Sequence, residues 1–247
     1  MAESDKTELS AEIERLYEVF RPYAPPAHPA YCTHCVSDAE DAVLHSVPLR
    51  QLSTKELTRY SVKAISTWGT VEQFKYLLPR LFDLVVEGGF RYNPEILFKK
   101  PRYGGFVSWP HPEQEAVGAY CGALWRYALA NHPLTDYLPQ FASIDECLCS
   151  VAQIIDDLHP LLQFWESETA AATLHLGDFV AENASALLAG RLSNAFWDER
   201  PEQVRQVVNW FSTLDYAVVL DLAELGTLPR EVAKEVVQAV KRRIKAR

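Results

Sequence analysis

The 36 residues from Leu49 to Leu84, LRQLSTKELTRYSVKAISTWGTVEQFKYLLPRLFDL, constrain the fold of this chain more than any other stretch. Ser53 and Glu56 have the spacing of a capping box, in which each side chain satisfies a backbone donor that a helix start leaves open. Leu57, Tyr60, Ala64, Ile65 and Trp68 then recur at helical spacing, and Gly69 supplies a stop. Thr70 and Gln73 repeat the capping device, and Phe74, Leu77, Leu78, Leu81 and Val85 form a second apolar stripe. A one-residue turn between two amphipathic helices forces them against each other, so this pair is expected to nucleate the core. Pro79 lies within the second helix and is expected to kink or split it.

The same grammar extends along the chain. A first helix is expected from about Glu8 to Phe20, followed by an extended segment held by Pro22, Pro25, Pro26 and Pro29. Ser37 with Glu40 caps a short helix. Asn93 and Pro94 open another that runs through Phe98. Lys99 to Pro110, KKPRYGGFVSWP, reads as a loop with a short strand at Phe106–Trp109, and as the boundary between two halves. Further helices are expected from Pro112, from Ser143/Glu146 through Leu158, over Leu161–Trp165, over Ala170–Leu188, from Pro201, over Asp215–Leu225 and from Pro229 to the end. No repeat of fixed period is visible. The expectation is an all-α fold, an irregular bundle of about ten helices in antiparallel pairs rather than a regular solenoid. It is expected as one domain, with residues 1–98 and 110–247 as its two halves.

Charge separates those halves. Of a net −9, residues 51–110 contribute +4, whereas residues 111–229 carry 17 acidic and 4 basic side chains, a balance of −13. Such a segment repels a phosphate backbone and attracts a basic partner. The residues expected to carry that attraction are Asp145, Glu146, Asp156, Asp157, Asp198, Glu199, Asp215, Asp221 and Glu224. No nucleic acid and no membrane is expected as a partner: no apolar run approaches the roughly 20 residues that a span requires. The N-terminal run MAESDKTELS has neither a basic n-region nor an apolar h-region, so a cytoplasmic protein with reduced thiols is expected from its five cysteines.

Candidate chemistry is sparse. Cys32-x2-Cys35 supplies two of the four ligands of a structural zinc, and His28, His34 and His45 are near enough in sequence to complete the set. Two ordinary thiols, packed or partly exposed, are the leading reading, and a zinc site is the alternative. Asp156-Asp157-x-His159 points its neighbours about 100° apart on a helix, which opposes convergence on a metal. Asp178 and Glu182 share a helix face, with no histidine at matching spacing, and read as surface charge. Lys99-Lys100-Pro101-Arg102 before Tyr103-Gly104-Gly105 has the ingredients of an anion-binding loop without the spacing of a phosphate-loop fingerprint. No GxSxG, HExxH or GxxxxGK[ST] motif occurs.

From Cys32-x2-Cys35 through Pro48-Leu49-Arg50, Tyr60-x3-Ala64, Thr67-Trp68-Gly69 and Leu78-Pro79-Arg80, the chain resembles a bacterial helical protein family. That family shares a cysteine pair, a PLR, a TWG and an LPR in that order. The resemblance covers roughly the first 90 residues. It implies a bacterial, cytosolic helical protein and brings no catalytic residues. In format, an acidic all-helical chain is also similar to immunity proteins that neutralise toxins. The expected function is therefore a protein-binding module, an immunity-type inhibitor whose acidic surface covers a basic toxin domain, with no enzyme activity. The alternatives are a zinc-dependent protein or enzyme using the Cys32/Cys35 loop, and a structural helical scaffold.

Overall fold

Helix starts in this protein are written by local side chains. In the computed structural model Ser37 and Ser53 each form the reciprocal capping box with Glu40 and Glu56, and Thr70 and Ser143 accept from the amides of Gln73 and Glu146. The structure describes residues 2–25, 30–166 and 170–214, together with Lys234 and Gln238. The helices expected over Asp215–Leu225 and beyond Pro229 lie outside the described residues. Among those described the chain is all-helical. It comprises α1 (Ala2–Val19), α2 (Asp38–Val43), α3 (Thr54–Lys63), α4 (Val71–Glu87), α5 (Glu95–Tyr103), α6 (His111–Ala130), α7 (Ile144–Ala152), α8 (His159–Glu166), α9 (Ala170–Leu188) and α10 (Pro201–Thr213). Two isolated β-bridges, Tyr31 with Trp68 and Ala64 with Trp68, are its only extended pairing among the described residues.

One cluster of buried side chains runs from Leu9 to Leu214. α1 lies most extensively against α6, which joins the two parts of the chain expected to be separate halves. A buried ion pair ties α4 to α6: Lys75 Nζ on α4 lies 2.6 Å from Glu113 Oε2 on α6. Tyr23, just after α1, donates to Glu113 Oε1 at 2.5 Å, and the Lys75 ammonium sits 4.4 Å from the centre of a Trp109 ring.

The PLR, TWG and LPR triplets are braces. Arg50 donates twice to Glu14 on α1, at 2.7 Å each, and its guanidinium lies 3.7 Å from the Tyr17 ring centre. Arg80 donates to the Leu52 carbonyl and to Asp83, and Asp83 also accepts from Tyr17. Trp68 Nε1 donates to the buried Asp41 carboxylate at 2.7 Å.

Several expectations are corrected. α3 ends at Lys63, and the Ala64–Gly69 segment is a tight loop rather than a further turn of helix. The Lys63 carbonyl accepts from the amides of Thr67 and Trp68, which folds the loop back and buries Ala64 and Trp68 without helical periodicity. Ile65 takes φ 67°, a conformation that β-branched residues rarely adopt. Gly69 has φ 83°, and a Cβ there would meet the Gln73 side-chain oxygen at 2.5 Å, so this position requires glycine.

Pro79 neither ends nor divides α4, which is continuous from Val71 to Glu87. Burial of Leu77, Leu78, Leu81 and Phe82 around it, at roughly 1.5–3 kcal/mol each, outweighs the ~3 kcal/mol that proline costs in a helix. α5 runs through Pro101 to Tyr103, so half of the expected loop is helix, and Phe106–Ser108 forms a 3-10 turn instead of a strand. α7 stops at Ala152, and the expected helical turn to Leu158 is replaced by a loop. That loop is fixed by Gln203 and Gln206 donating to the Asp156 carbonyl and by the Gln206 amide oxygen accepting from Leu158 N.

Candidate anion-binding pocket

The last turns of α5 carry Lys99, Lys100, Arg102 and Tyr103, and the Lys100 ammonium reaches the Ala64 carbonyl at the start of the Ala64–Gly69 loop. A pocket of about 390 Å³ opens there, lined by Ser66, Lys99, Lys100, Arg102, Tyr103 and Glu199. That volume lies within the roughly 300–1,000 Å³ range of small-molecule sites. Two local features build it. The left-handed backbone at Ile65 turns the chain so that Ser66 reaches the rim. Gly104 lets α5 close on that turn, since a Cβ there would meet Ile65 Cδ1 at 3.0 Å.

The three cations differ in how they are balanced. Lys99 Nζ pairs with Glu199 at 3.2 Å and lies over the Phe196 ring. Arg102 is exposed and has no carboxylate partner among the described residues. Lys100 is only 6% exposed, and its ammonium donates to the carbonyls of Val62 (2.6 Å) and Ala64 (2.9 Å), with no carboxylate beside it among the described residues. Burial first, and Lys99 second, pull its pKa down to about 8. A buried, uncompensated ammonium next to two more cations is a site in want of a negative charge. The basic loop was legible in sequence. Ser66 and Glu199 were not, because they arrive from 33 residues before and 100 residues after Lys99.

The residues expected to form an acidic recognition face are distributed differently. Asp145 is fully buried, which corrects its assignment to the surface. Its carboxylate accepts from Trp197 Nε1 at 3.1 Å, and burial pushes its pKa up to about 7. Glu146 is half-buried and spent on the Ala142 amide at 2.6 Å. Asp156 pairs with Arg200 at 2.5 Å and Asp157 with His159 at 2.7 Å, while Asp198 is exposed. Glu199 belongs to the basic pocket. Asp215, Asp221 and Glu224 lie outside the described residues.

Of the expected zinc ligands, Cys32 is exposed, Cys35 is half-buried and His28 lies outside the described residues. His45 leans on Asp41 at 3.7 Å. Neither His34 nor His45 gathers with the two thiols within ligand distance. Instead Cys35 backs Cys32 in a turn. The His34 amide and the Cys35 thiol hold the Cys32 sulfur below the usual thiol pKa. Cys121, Cys147 and Cys149 are buried in the core, where loss of solvent pushes their thiols up.

Among the described residues His132, His175 and Asp178 each bring a ligand atom within 4.8 Å of the others; His175 and Asp178 are three residues apart on α9, and packing adds His132. Contrary to expectation a histidine, His175, does stand at helical spacing from Asp178, and a second, His132, comes from the turn after α6, 46 residues away. Glu95 is a buried carboxyl that no sequence motif marks. It is fully enclosed, accepts from Asn194 at 2.6 Å, and is pushed up to about 7 by burial. No helix among the described residues is long and apolar enough to cross a membrane. Compared with known proteins, the chain matches no family model, no curated protein and no solved structure.

Proposed function

We propose that this protein binds a small organic anion, a phosphate monoester, in the pocket between α5 and the Ala64–Gly69 loop. The observation that carries this reading is Lys100: a buried ammonium with carbonyl partners and, among the described residues, no carboxylate, opening onto a cavity that Lys99 and Arg102 also line. A phosphate oxygen would complete its donors, the Arg102 fork would take two more oxygens, and Ser66 would donate its hydroxyl. Tyr103, 65% exposed, offers a ring face to the organic part.

The test is a calorimetric titration with phosphate monoesters and, in parallel, dicarboxylates. A phosphate monoester should bind the wild type, and Lys100→Met or Arg102→Ala should weaken it about tenfold or more. Because the ligand needs Lys100 protonated, affinity should fall as pH rises through about 8. Absence of binding by any phosphate monoester, or binding indifferent to both substitutions, removes this reading.

A second reading, of opposite charge, is supported by Arg200. Its bonds to Asp156 and to the Ile155 carbonyl dock the acidic α7–α8 turn beside the start of α10, which the exposed Asp198 precedes. Such a face suits a basic protein, and an immunity-type inhibitor of a toxin domain is its specific form. It predicts that a purified basic toxin domain binds at low salt and weakens at high salt. Asp157→Asn with Asp198→Asn should reduce the low-salt affinity, and salt-independent binding counts against it.

A further inference from the structure

At the junction of α6 and α9 two histidines and an aspartate converge on one point. His132 comes from the turn after α6, while His175 and Asp178, three residues apart, share a face of α9. Each offers one ligand atom, and the three atoms lie within 4.8 Å of one another. His132 Nε2 is 2.8 Å from Asp178 Oδ2, and the two imidazole rings meet edge to face with centres 4.8 Å apart.

From this geometry we infer that His132, His175 and Asp178 form a binding site for a divalent transition-metal ion of the zinc type. Two imidazoles and one carboxylate make a mixed nitrogen and oxygen set that favours such an ion over magnesium or calcium, which prefer all-oxygen shells. Three protein ligands leave a fourth position for water or for a ligand oxygen.

The surroundings fit the assignment. His175 is almost wholly buried, and its Nε2–H donates to the Asn131 carbonyl at 2.8 Å, with the Ala128 carbonyl also against the ring. Asn131 is buried as well, and its own amide donates to the Tyr127 carbonyl at 2.7 Å, so the group that orients the imidazole is itself fixed. This is the outer-shell support that metal-binding histidines require. His132 and Asp178 are partly exposed, with side chains 24% and 50% accessible, and give an ion a path from solvent. A zinc ion sits roughly 2.0–2.2 Å from each ligand. Rotation of the exposed carboxylate and of the His132 ring closes the remaining distance.

Cobalt(II) titrated into metal-free, full-length protein reads the site directly. One equivalent should bind with visible d–d bands of low-coordinate cobalt and without a thiolate charge-transfer band. His132→Ala and Asp178→Ala, both at the surface and checked for folding by circular dichroism, should each weaken cobalt and zinc binding by roughly 10–100-fold. Cys32→Ser with Cys35→Ser should leave binding unchanged. The inference is overturned if no cobalt binds, if binding survives both the His132 and Asp178 substitutions, or if a thiolate band appears that the cysteine substitutions remove. None of these results depends on the anion pocket, so the two sites stand or fall separately.

Discussion

The surroundings of Lys100 and Cys32 change their ordinary chemistry in the direction of reactivity. Lys100 has a folded pKa of about 8 against 10.5 in water. Between those values the unfolded chain binds more protons than the folded one, so stability from this group rises with pH across that window. Urea unfolding should show the wild type gaining on Lys100→Met by up to about 1.4 kcal/mol per pH unit between about 8 and 10.5. A constant difference would mean that Lys100 is solvated. Cys32, exposed and held below the usual thiol pKa, should be alkylated by iodoacetamide well before the buried Cys121, Cys147 and Cys149. Peptide mass spectrometry after brief labelling checks the order, and equal labelling of all five would refute it.

At the scale of elements, the joint between α4 and α6 is the most exposed to a single change. Lys75 and Glu113 are both 6% exposed and pair at 2.6 Å, with Tyr23 bonded to both. Removing one charge leaves the other buried and alone, so Glu113→Ala should cost roughly 3–5 kcal/mol in chemical unfolding. Replacing both, as Lys75→Met with Glu113→Leu, should recover most of that loss, because the pair offsets its own desolvation only partly. A double variant as unstable as the single one would show that the charges themselves stabilise the joint. The helix starts of α2, α3, α4 and α7 were legible because a capping contact spans three residues. The Ala64–Gly69 loop was not, because its apolar residues are buried by a reversal of direction that keeps a helix-like spacing by coincidence. The Lys-Lys-Pro-Arg composition of Lys99 to Tyr103 suggests a loop, yet Leu97 and Phe98 anchor the helix in the core.

Across the whole molecule, the buried carboxyls Glu95 and Asp145 set a pH dependence that no local motif announces. Both are fully enclosed and raised to about 7 from ordinary values of 4.5 and 3.8. Between those limits the folded state holds more protons than the unfolded one, so stability present at acidic pH is lost as pH rises through about 7. Glu95→Gln with Asp145→Asn should flatten that slope and raise stability above about pH 7 by roughly 1–3 kcal/mol. Unchanged denaturation midpoints across the range would show that the two carboxyls ionise freely.

What the sequence determined by itself was the helical class and most helix starts, since periodicity, caps and proline positions act over one or two turns. It also marked residues 99–105 as basic and residues 111–229 as acidic. Only the tertiary structure decided which charges face outward: Asp145 looked like a surface acid until Trp197, 52 residues away, enclosed it. The same holds for the gathering of Ser66 and Glu199 around Lys100, and of His132 beside His175 and Asp178. Those groupings depend on how helices distant in sequence pack, and packing is set by the summed burial of the core rather than by any short run of residues.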